Sequence, residues 1–188
     1  MKVNANTLKP GNIIEFEGRL CRYLKGDVSQ PGKGGAFLNA YMRDIETGTK
    51  VNTRFRTQES VEKIRLDQEP YQFLFKDGEA ITLMNTSTYE QITVQEELFG
   101  EAAIYLQDGM EVEVESYEGK PLSGSLPDTA TFEIVEAEPV VKGQTATTSY
   151  KPAVLDNGAR VMVPPHIESG TRIVIKTEDG SYVEKAKD

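Results

Sequence analysis

The sequence predicts an all-β protein built from several small barrels. Two-residue turn signals that end in glycine recur along its 188 residues, and short apolar and β-branched segments lie between them. Hydrophobic residues make up 38% of the chain, which is a low share for one large core and suits small barrels. Breaks in the strand pattern and changes in charge predict three domains, at residues 1–64, 65–128 and 129–188.

The first predicted domain is basic, with a net charge of +4 over residues 1–64. Alternation along its segment 51–56 places Val51, Thr53 and Phe55 on one face and leaves Arg54 and Arg56 on the solvent side. Small β-barrels bind RNA through basic faces of this kind, with phosphate contacts that fix the register. An ordinary solvated barrel face explains the same pattern, so both interpretations stay open here.

The second predicted domain is acidic, with a net charge of −11 over residues 65–128. Met and Val alternate with Glu from residue 110, and we interpret the run Glu111–Glu118 as a solvated strand face. One short helix is predicted over residues 95–107, where helical spacing places near one face Leu98, Ala102, Tyr105 and Leu106. We expect this helix to close the end of a barrel.

The third predicted domain, residues 129–188, carries a net charge of −2 and contains a clear hairpin signal. The pair Asn157-Gly158 predicts a tight turn. Val161 and Val163 then alternate into a core, and Pro164 ends the strand because proline cannot donate a ladder hydrogen bond.

The composition argues against several classes of protein. No run of about 18 apolar residues occurs, and the N-terminal residues lack the apolar stretch of a secretory signal, so no membrane association is expected. Cys21 is the single cysteine and cannot form an internal disulfide, which favours a cytoplasmic location. The sequence contains no cluster of cysteine and histidine residues, so no metal site is expected. His166 is the single histidine and has no obvious nucleophile nearby, which favours a structural role over catalysis.

The segment QPGKGGAF, residues 30–37, places one lysine among turn-forming residues: Pro31, Gly32, Gly34 and Gly35 surround Lys33. A P-loop is excluded, because that motif needs a hydroxyl residue directly after the lysine and a helix beyond it. Two interpretations remain. Lys33 is an ordinary solvated lysine of a hairpin loop, or the glycines expose it to RNA or to a modifying enzyme.

Three segments resemble the bacterial elongation factor P family, and the resemblance extends over the whole chain. PGKGGAF, residues 31–37, resembles the family's modified-lysine loop, and TGTKVNTRFR, residues 47–56, resembles the strand region that follows it. Segment 151–170 matches the family's C-terminal signature at Lys151, Ala153, Gly158, Val161, Val163, Pro164, Ile167 and Gly170.

The resemblance implies a fold and an activity. The fold would be a KOW/SH3-like barrel that carries the Lys33 loop, followed by two OB-folds, in an L-shaped arrangement similar in outline to a tRNA. The protein would be a monomeric accessory factor and not an enzyme. It would bind the 70S ribosome between the peptidyl-tRNA and exit-tRNA sites and promote peptide-bond formation at consecutive prolines. No small-molecule substrate and no cofactor are implied.

The resemblance also implies roles for particular residues. Lys33 would position the acceptor end of the peptidyl-site tRNA, after a lysine-modifying enzyme has extended it with a β-lysyl or similar group. Contacts to tRNA or ribosomal RNA are implied for Gln30, Arg54, Arg56, Tyr182 and Lys185. A contact to the small ribosomal subunit is implied for the loop residues Gly143, Gln144, Thr145, Ala146 and Thr147.

This sequence departs from the family's pattern at three of those positions. Gln30 stands where many relatives carry a basic residue, Gln144 replaces a common Asp, and Lys185 replaces a common Arg. Lysine lacks the bidentate phosphate contact of arginine. The departures at Gln30 and Lys185 leave a second hypothesis, a paralogous ribosome- or RNA-binding module of the same fold with another task. A third hypothesis is an enzyme that uses His166 or a carboxylate.

Overall fold

The computed structural model describes residues 1–140 and 149–187, and it confirms the predicted all-β class. Three curled sheets follow one another along the chain, of six, five and five strands. Each sheet has its own apolar core. The predicted domain boundaries and the predicted L-shaped arrangement stay predictions.

The first sheet is antiparallel, with the strand order β1-β6-β2-β3-β4-β5. Its strands are β1 (Lys2–Asn4), β2 (Ile13–Phe16), β3 (Arg19–Ser29), β4 (Phe37–Asp44), β5 (Lys50–Arg56) and β6 (Ser60–Ile64). A short 3₁₀ turn, Ala5–Thr7, follows β1. Buried side chains, among them Ile14, Cys21 and Met42, fill the core. The predicted inward face of β5 is confirmed, because Phe55 is buried whereas Arg54 and Arg56 are exposed.

The second sheet has the order β11-β10-β7-β8-β9. Its strands are β7 (Asp67–Asp77), β8 (Ala80–Asn85), β9 (Gln91–Gln95), β10 (Glu111–Tyr117) and β11 (Lys120–Ser125). Val112 and Val114 point into the core, as the alternation predicts, and Glu111 and Glu113 are exposed. Glu115 contradicts the predicted solvated face, because it is half-buried and accepts hydrogen bonds from three side chains on other strands.

The predicted helix of the second domain is only partly correct. Glu96–Tyr105 forms 3₁₀ turns in two pieces, because Gly100 has a φ of 61° that no helix contains. The break changes the buried face to Phe99, Ala103 and Tyr105, of which only Tyr105 was predicted. Phe99 and Ala103 pack in the second core, whereas the ring of Tyr105 packs edge-on against Phe132 in the third core.

The third sheet has the order β14-β13-β12-β15-β16. Its strands are β12 (Thr129–Ala137), β13 (Lys151–Leu155), β14 (Arg160–Val163), β15 (Arg172–Lys176) and β16 (Tyr182–Lys185). Val161 and Val163 are buried, and β14 ends directly before Pro164, as predicted. In every predicted two-residue turn the glycine has a positive φ, namely Gly18, Gly48, Gly78, Gly109, Gly119, Gly158 and Gly180.

The chain folds into two compact units. One contains Met1–Gln68 together with Glu115–Ser123, and the other contains Glu69–Val114 together with Gly124–Asp188. The ends of β10 and β11 that flank the Glu118-Gly119 turn therefore belong to the same compact unit as the first sheet.

Candidate functional site

Lys33 lies at the tip of an arm formed by β3 and β4, and β5 is paired with β4 along the whole length of this arm. Strands β3 and β4 remain paired as far as Ser29 and Phe37, and the seven residues between them form the loop that carries Lys33. Every residue from Gln30 to Gly35 is exposed. The arm, defined as residues 25–41, therefore presents the Lys33 ammonium group away from the core of the first sheet.

The backbone conformation favours glycine at only one of the three glycine positions of the loop. Gly32 has a φ of 49°, a conformation in which a side chain is strained. Gly34 and Gly35 have no such φ, and a Cβ added at any of the three glycines would meet no atom within 4 Å. Internal packing therefore does not require glycine at Gly34 or Gly35. A side chain at either position would occupy only the space around Lys33.

A β-bulge lies at the base of the arm, and a bulge of this kind bends the strand that contains it. The β3–β4 register shifts between Tyr23 and Lys25, so Leu24 is an extra residue and is exposed. Just beyond the bulge, a Cβ on Gly26 would collide with the Tyr23 hydroxyl group and lie 2.7 Å from Leu38 Cδ1. Tyr23 and Leu38 are both buried, so the backbone at Gly26 packs directly against the first core.

Two of the predicted nucleic-acid contacts lie on the neighbouring strand β5. Arg56 is directly opposite Phe37, the first strand residue after the loop, and Arg54 stacks its guanidinium group 4.3 Å from the centre of the Phe37 ring. Lys25 lies 5.0 Å from the Tyr41 ring on the same arm. The structure therefore brings Arg54, Arg56 and the Lys33 loop to one end of the first sheet. The cation–π contacts could not be predicted from alternation, because they join residues on different strands.

Tyr182 and Lys185 belong to the other compact unit, on strand β16. Lys185 is exposed, whereas Tyr182 is half-buried and its ring packs edge-on against Tyr150 at a centroid distance of 6.4 Å. Burial raises the pKa of the Tyr182 hydroxyl group, and the nearby charges of Tyr150 and Glu184 raise it further. An open groove of about 510 Å³ runs beside this pair, with Arg160 and Met162 in its wall. Sequence reasoning missed the contribution of Tyr150, because tyrosine next to a loop gives no periodic signal.

The predicted small-subunit loop, Gly143, Gln144, Thr145, Ala146 and Thr147, lies outside the described residues.

The remaining candidate residues offer no catalytic arrangement. His166 is exposed in the turn that follows Pro164, and across residues 1–140 and 149–187 no group of three or more His, Cys, Asp or Glu side chains is placed to hold a metal ion. Cys21 is fully buried, and burial together with the charge of Asp44 raises the pKa of its thiol despite the opposing charge of Arg19. No helix in the described part of the chain has the length and apolar character needed to span a bilayer.

The sheets and the exposed lysine arm define a protein in which a KOW-like barrel precedes OB-type barrels. Comparison with family models agrees along the whole chain. Residues 4–61 match the elongation factor P KOW-like domain, residues 66–124 match the elongation factor P OB domain, and residues 130–185 match the elongation factor P C-terminal domain.

Individual proteins give the same result. The chain is 56% identical over 188 residues to elongation factor P of Rhodospirillum centenum, with all of both chains covered. It is 54% identical over 186 residues to elongation factor P of Rhizorhabdus wittichii, which covers 99% of this chain and 100% of that one. Translation initiation factor 5A from Methanococcus jannaschii is similar in structure, with a TM-score of 0.57 and 29% identity over 64% of this chain and 90% of that chain. The chain belongs to the elongation factor P family.

Proposed function

We propose that this protein binds the ribosome between the peptidyl-tRNA and exit-tRNA sites and accelerates peptide-bond formation at consecutive prolines. Membership in a family of translation elongation factors supports this proposal. Proline is a poor substrate for the ribosome because its ring is rigid and its nitrogen is secondary. A factor that holds the peptidyl-tRNA in a productive pose lowers the barrier by positioning, an effect that can contribute several kcal/mol.

The single observation that carries the proposal is the exposure of Lys33 at the tip of a basic arm. Gly34 and Gly35 leave space around it that the protein's own packing does not use. Arg54 and Arg56 lie on the adjacent strand, where they are suited to contact phosphates beside the loop. In this proposal Lys33 reaches the acceptor end of the peptidyl-tRNA, and the ribosome alone performs the chemistry.

We further propose that Lys33 is extended by a modifying enzyme with a β-lysyl or similar group. An unmodified lysine extends only about five bonds beyond its Cα, so added length increases its reach toward the reacting ends of the tRNAs. The partners in this proposal are the ribosome, peptidyl-site tRNA and the modifying enzyme. The protein acts in the cytoplasm as a monomer, with contacts to RNA at Gln30, Tyr182 and Lys185. Intact-mass measurement and peptide mapping of protein from its native host test the modification, and an unmodified Lys33 peptide would contradict it.

The test of the function is the Lys33→Ala variant in a reconstituted translation reaction that reports synthesis of a Pro-Pro-Pro peptide. We expect the stimulation by the factor to fall at least about tenfold, because the positioning group is removed. Lys9→Ala is the matched control, since Lys9 is also exposed but lies outside the arm. Equal synthesis with Lys33→Ala and with the unchanged protein would contradict the proposed role of Lys33.

A second candidate function follows from Gln30 and Lys185, which differ from the residues common in relatives. A paralogous ribosome-binding module with another task would leave pauses at codons other than proline when it is deleted. Ribosome profiling of a deletion strain separates the two functions, because our first proposal predicts pauses within proline runs.

A further inference from the structure

A half-buried ion pair connects strand β3 to the β10–β11 hairpin inside the first compact unit. Arg22 Nη2 lies 2.7 Å from Glu115 Oε1. The Ser123 hydroxyl group donates to the same carboxylate oxygen at 2.8 Å, and Gln68 Nε2 donates to the other oxygen at 3.4 Å. We call these four residues, Arg22, Gln68, Glu115 and Ser123, the Glu115 cluster. All four belong to the same compact unit.

The Glu115 cluster differs from an ordinary surface ion pair. The side chains of Arg22 and Glu115 are only 33% and 20% exposed, and the carboxylate has three donors. A second pair, Lys120–Glu46, also joins the hairpin to the first sheet, but at 3.4 Å and with side chains 68% and 50% exposed. Pairs exposed to that degree contribute little, because solvent screens them and their side chains lose entropy.

Local charge explains why a carboxylate is held at this position. Arg22 is directly opposite Arg43 in the β3–β4 ladder, and like charges in that geometry repel each other. The guanidinium group of Arg43 donates a hydrogen bond to the carbonyl group of Gly48, and the guanidinium group of Arg22 forms an ion pair with Glu115. Burial raises the pKa of Glu115, but the hydrogen bond from Ser123, the charge and hydrogen bond of Arg22, and the hydrogen bond from Gln68 together lower it below its usual value. The carboxylate is therefore charged at neutral pH.

The position of Arg22 connects the cluster to the lysine arm. Arg22 directly precedes Tyr23, where the register shift begins that sends β3 and β4 outward as the arm. A carboxylate that fixes the Arg22 side chain therefore holds the strand immediately before its bend. The loop tip is eleven residues beyond Arg22, at Lys33, and β4 is paired with β5 as far as Phe37, so a change of angle at the base moves the three paired strands and the loop together.

We propose that Arg22 and Glu115 are positioning residues, whose ion pair fixes the β10–β11 hairpin tip against the base of the arm and thereby sets where Lys33 points. The proposal rests on the proposed function of Lys33 for its effect on translation, but its structural part concerns only the first compact unit. A merely stabilising pair would change the free energy of unfolding and leave the direction of the arm in the folded protein unchanged.

The structural test measures a distance within the first unit. Spin labels on cysteines introduced at Gly35 and Glu118 report the distribution of distances between the arm tip and the hairpin turn, with Cys21 protected by its complete burial. We expect Glu115→Gln, which keeps the shape of the side chain, and Arg22→Met to broaden this distribution. The charge exchange Arg22→Glu with Glu115→Arg is expected to narrow it again. Glu46→Gln is the matched control, because it breaks the exposed pair of the same hairpin, and it should leave the distribution unchanged.

The functional test uses Pro-Pro-Pro synthesis at increasing concentrations of the factor. We expect Glu115→Gln to lower the maximal rate by about ten- to a hundredfold, because misplacing a positioning group by about 1 Å can cost about a hundredfold in rate. The concentration that gives half the maximal rate should change little. The charge-exchanged protein should recover most of the lost rate. The Glu46→Gln control should match the unchanged protein.

The possible outcomes separate this inference from the proposed function. An unchanged distance distribution in folded Glu115→Gln and Arg22→Met would overturn the inference, even where the free energy of unfolding falls. A broadened distribution with an unchanged maximal rate would overturn the part that concerns Lys33. If Lys33→Ala itself has no effect on synthesis, the proposed function fails, and the distance measurement still decides whether the pair orients the arm.

Discussion

The packing of Gly26 against Tyr23 gives the sharpest prediction about the arm. An alanine at Gly26 would place its methyl group against the Tyr23 hydroxyl group, 2.7 Å from Leu38 Cδ1 and 3.1 Å from Tyr23 Cζ. Tyr23 and Leu38 are each only 4% exposed, so neither side chain has room to move into solvent. Gly26→Ala therefore forces either the core or the backbone of the arm to shift.

The expected cost follows from two opposing effects. Overpacking a close-packed core costs about 1–3 kcal/mol. Replacing glycine by alanine at a backbone conformation that alanine tolerates returns about 0.4–1 kcal/mol, because the unfolded chain loses freedom. Gly26 has a backbone of that kind, since its φ is not positive. We expect Gly26→Ala to lower the free energy of unfolding by about 1–2 kcal/mol, with a fall in melting temperature of about 2–8 °C.

Thermal and urea unfolding, followed by circular dichroism, measure this change. Tyr23→Phe provides the internal check, because it removes the atom closest to the new methyl group. In the double variant with Gly26→Ala we expect part of the cost to disappear, a coupling of about 1 kcal/mol, while the close contact with Leu38 Cδ1 remains. Gly34→Ala is the matched control, because a Cβ there meets no atom within 4 Å. A neutral Gly26→Ala, or a double variant in which the two costs simply add, would refute this reasoning.

Two further predictions concern groups near the same arm. The pKa of Glu115 is lower in the folded protein than in the unfolded chain, where it is about 4.3. The contribution of the charged carboxylate to stability is therefore complete above the unfolded pKa, and it is lost as the pH falls through the lower folded pKa. The stability difference between the unchanged protein and Glu115→Gln should therefore be constant near neutral pH and shrink in acid urea titrations; a difference independent of pH would contradict it. Ser29→Ala should leave the free energy of unfolding unchanged or raise it by about 1 kcal/mol, because Ser29 Oγ is buried without a hydrogen-bond partner among the described residues. A loss above 1 kcal/mol in thermal unfolding would show that the hydroxyl group has a partner.

The elements that sequence reasoning predicted correctly are those fixed by local chemistry. Alternation identified the inward face of β5, because a strand exposes successive side chains on opposite faces. Turn pairs such as Asn157-Gly158 were found because only a few residues adopt a positive φ without strain. The exposed Lys33 loop was predicted for the same reason, since Pro31 and the adjacent glycines exclude regular structure.

The elements that were missed have two different causes. Glu115 follows the same alternation as Glu111 and Glu113, but it is half-buried, and its carboxylate contacts Arg22, Gln68 and Ser123 from other strands. The broken helix follows from the single conformation of Gly100, which a helical pattern of apolar residues does not reveal. Contacts with distant strands override the local pattern at Glu115, whereas at Gly100 the apolar spacing was weighted above the presence of a glycine.

The direction of the Lys33 arm is therefore decided at its base and not in its loop. The loop has few contacts that orient it, since its residues from Gln30 to Gly35 are all exposed and only Ala36 is half-buried, with a backbone hydrogen bond from Thr57. The strands that carry the loop are oriented by the β4–β5 ladder, by the buried side chains of β4, and by the bulge after Tyr23. The Glu115 cluster lies on the near side of the bulge, and the Gly26 backbone lies on the far side. A substitution at the base should therefore redirect an unaltered Lys33, whereas a substitution at Gly34 should change the surroundings of Lys33 and leave its direction intact.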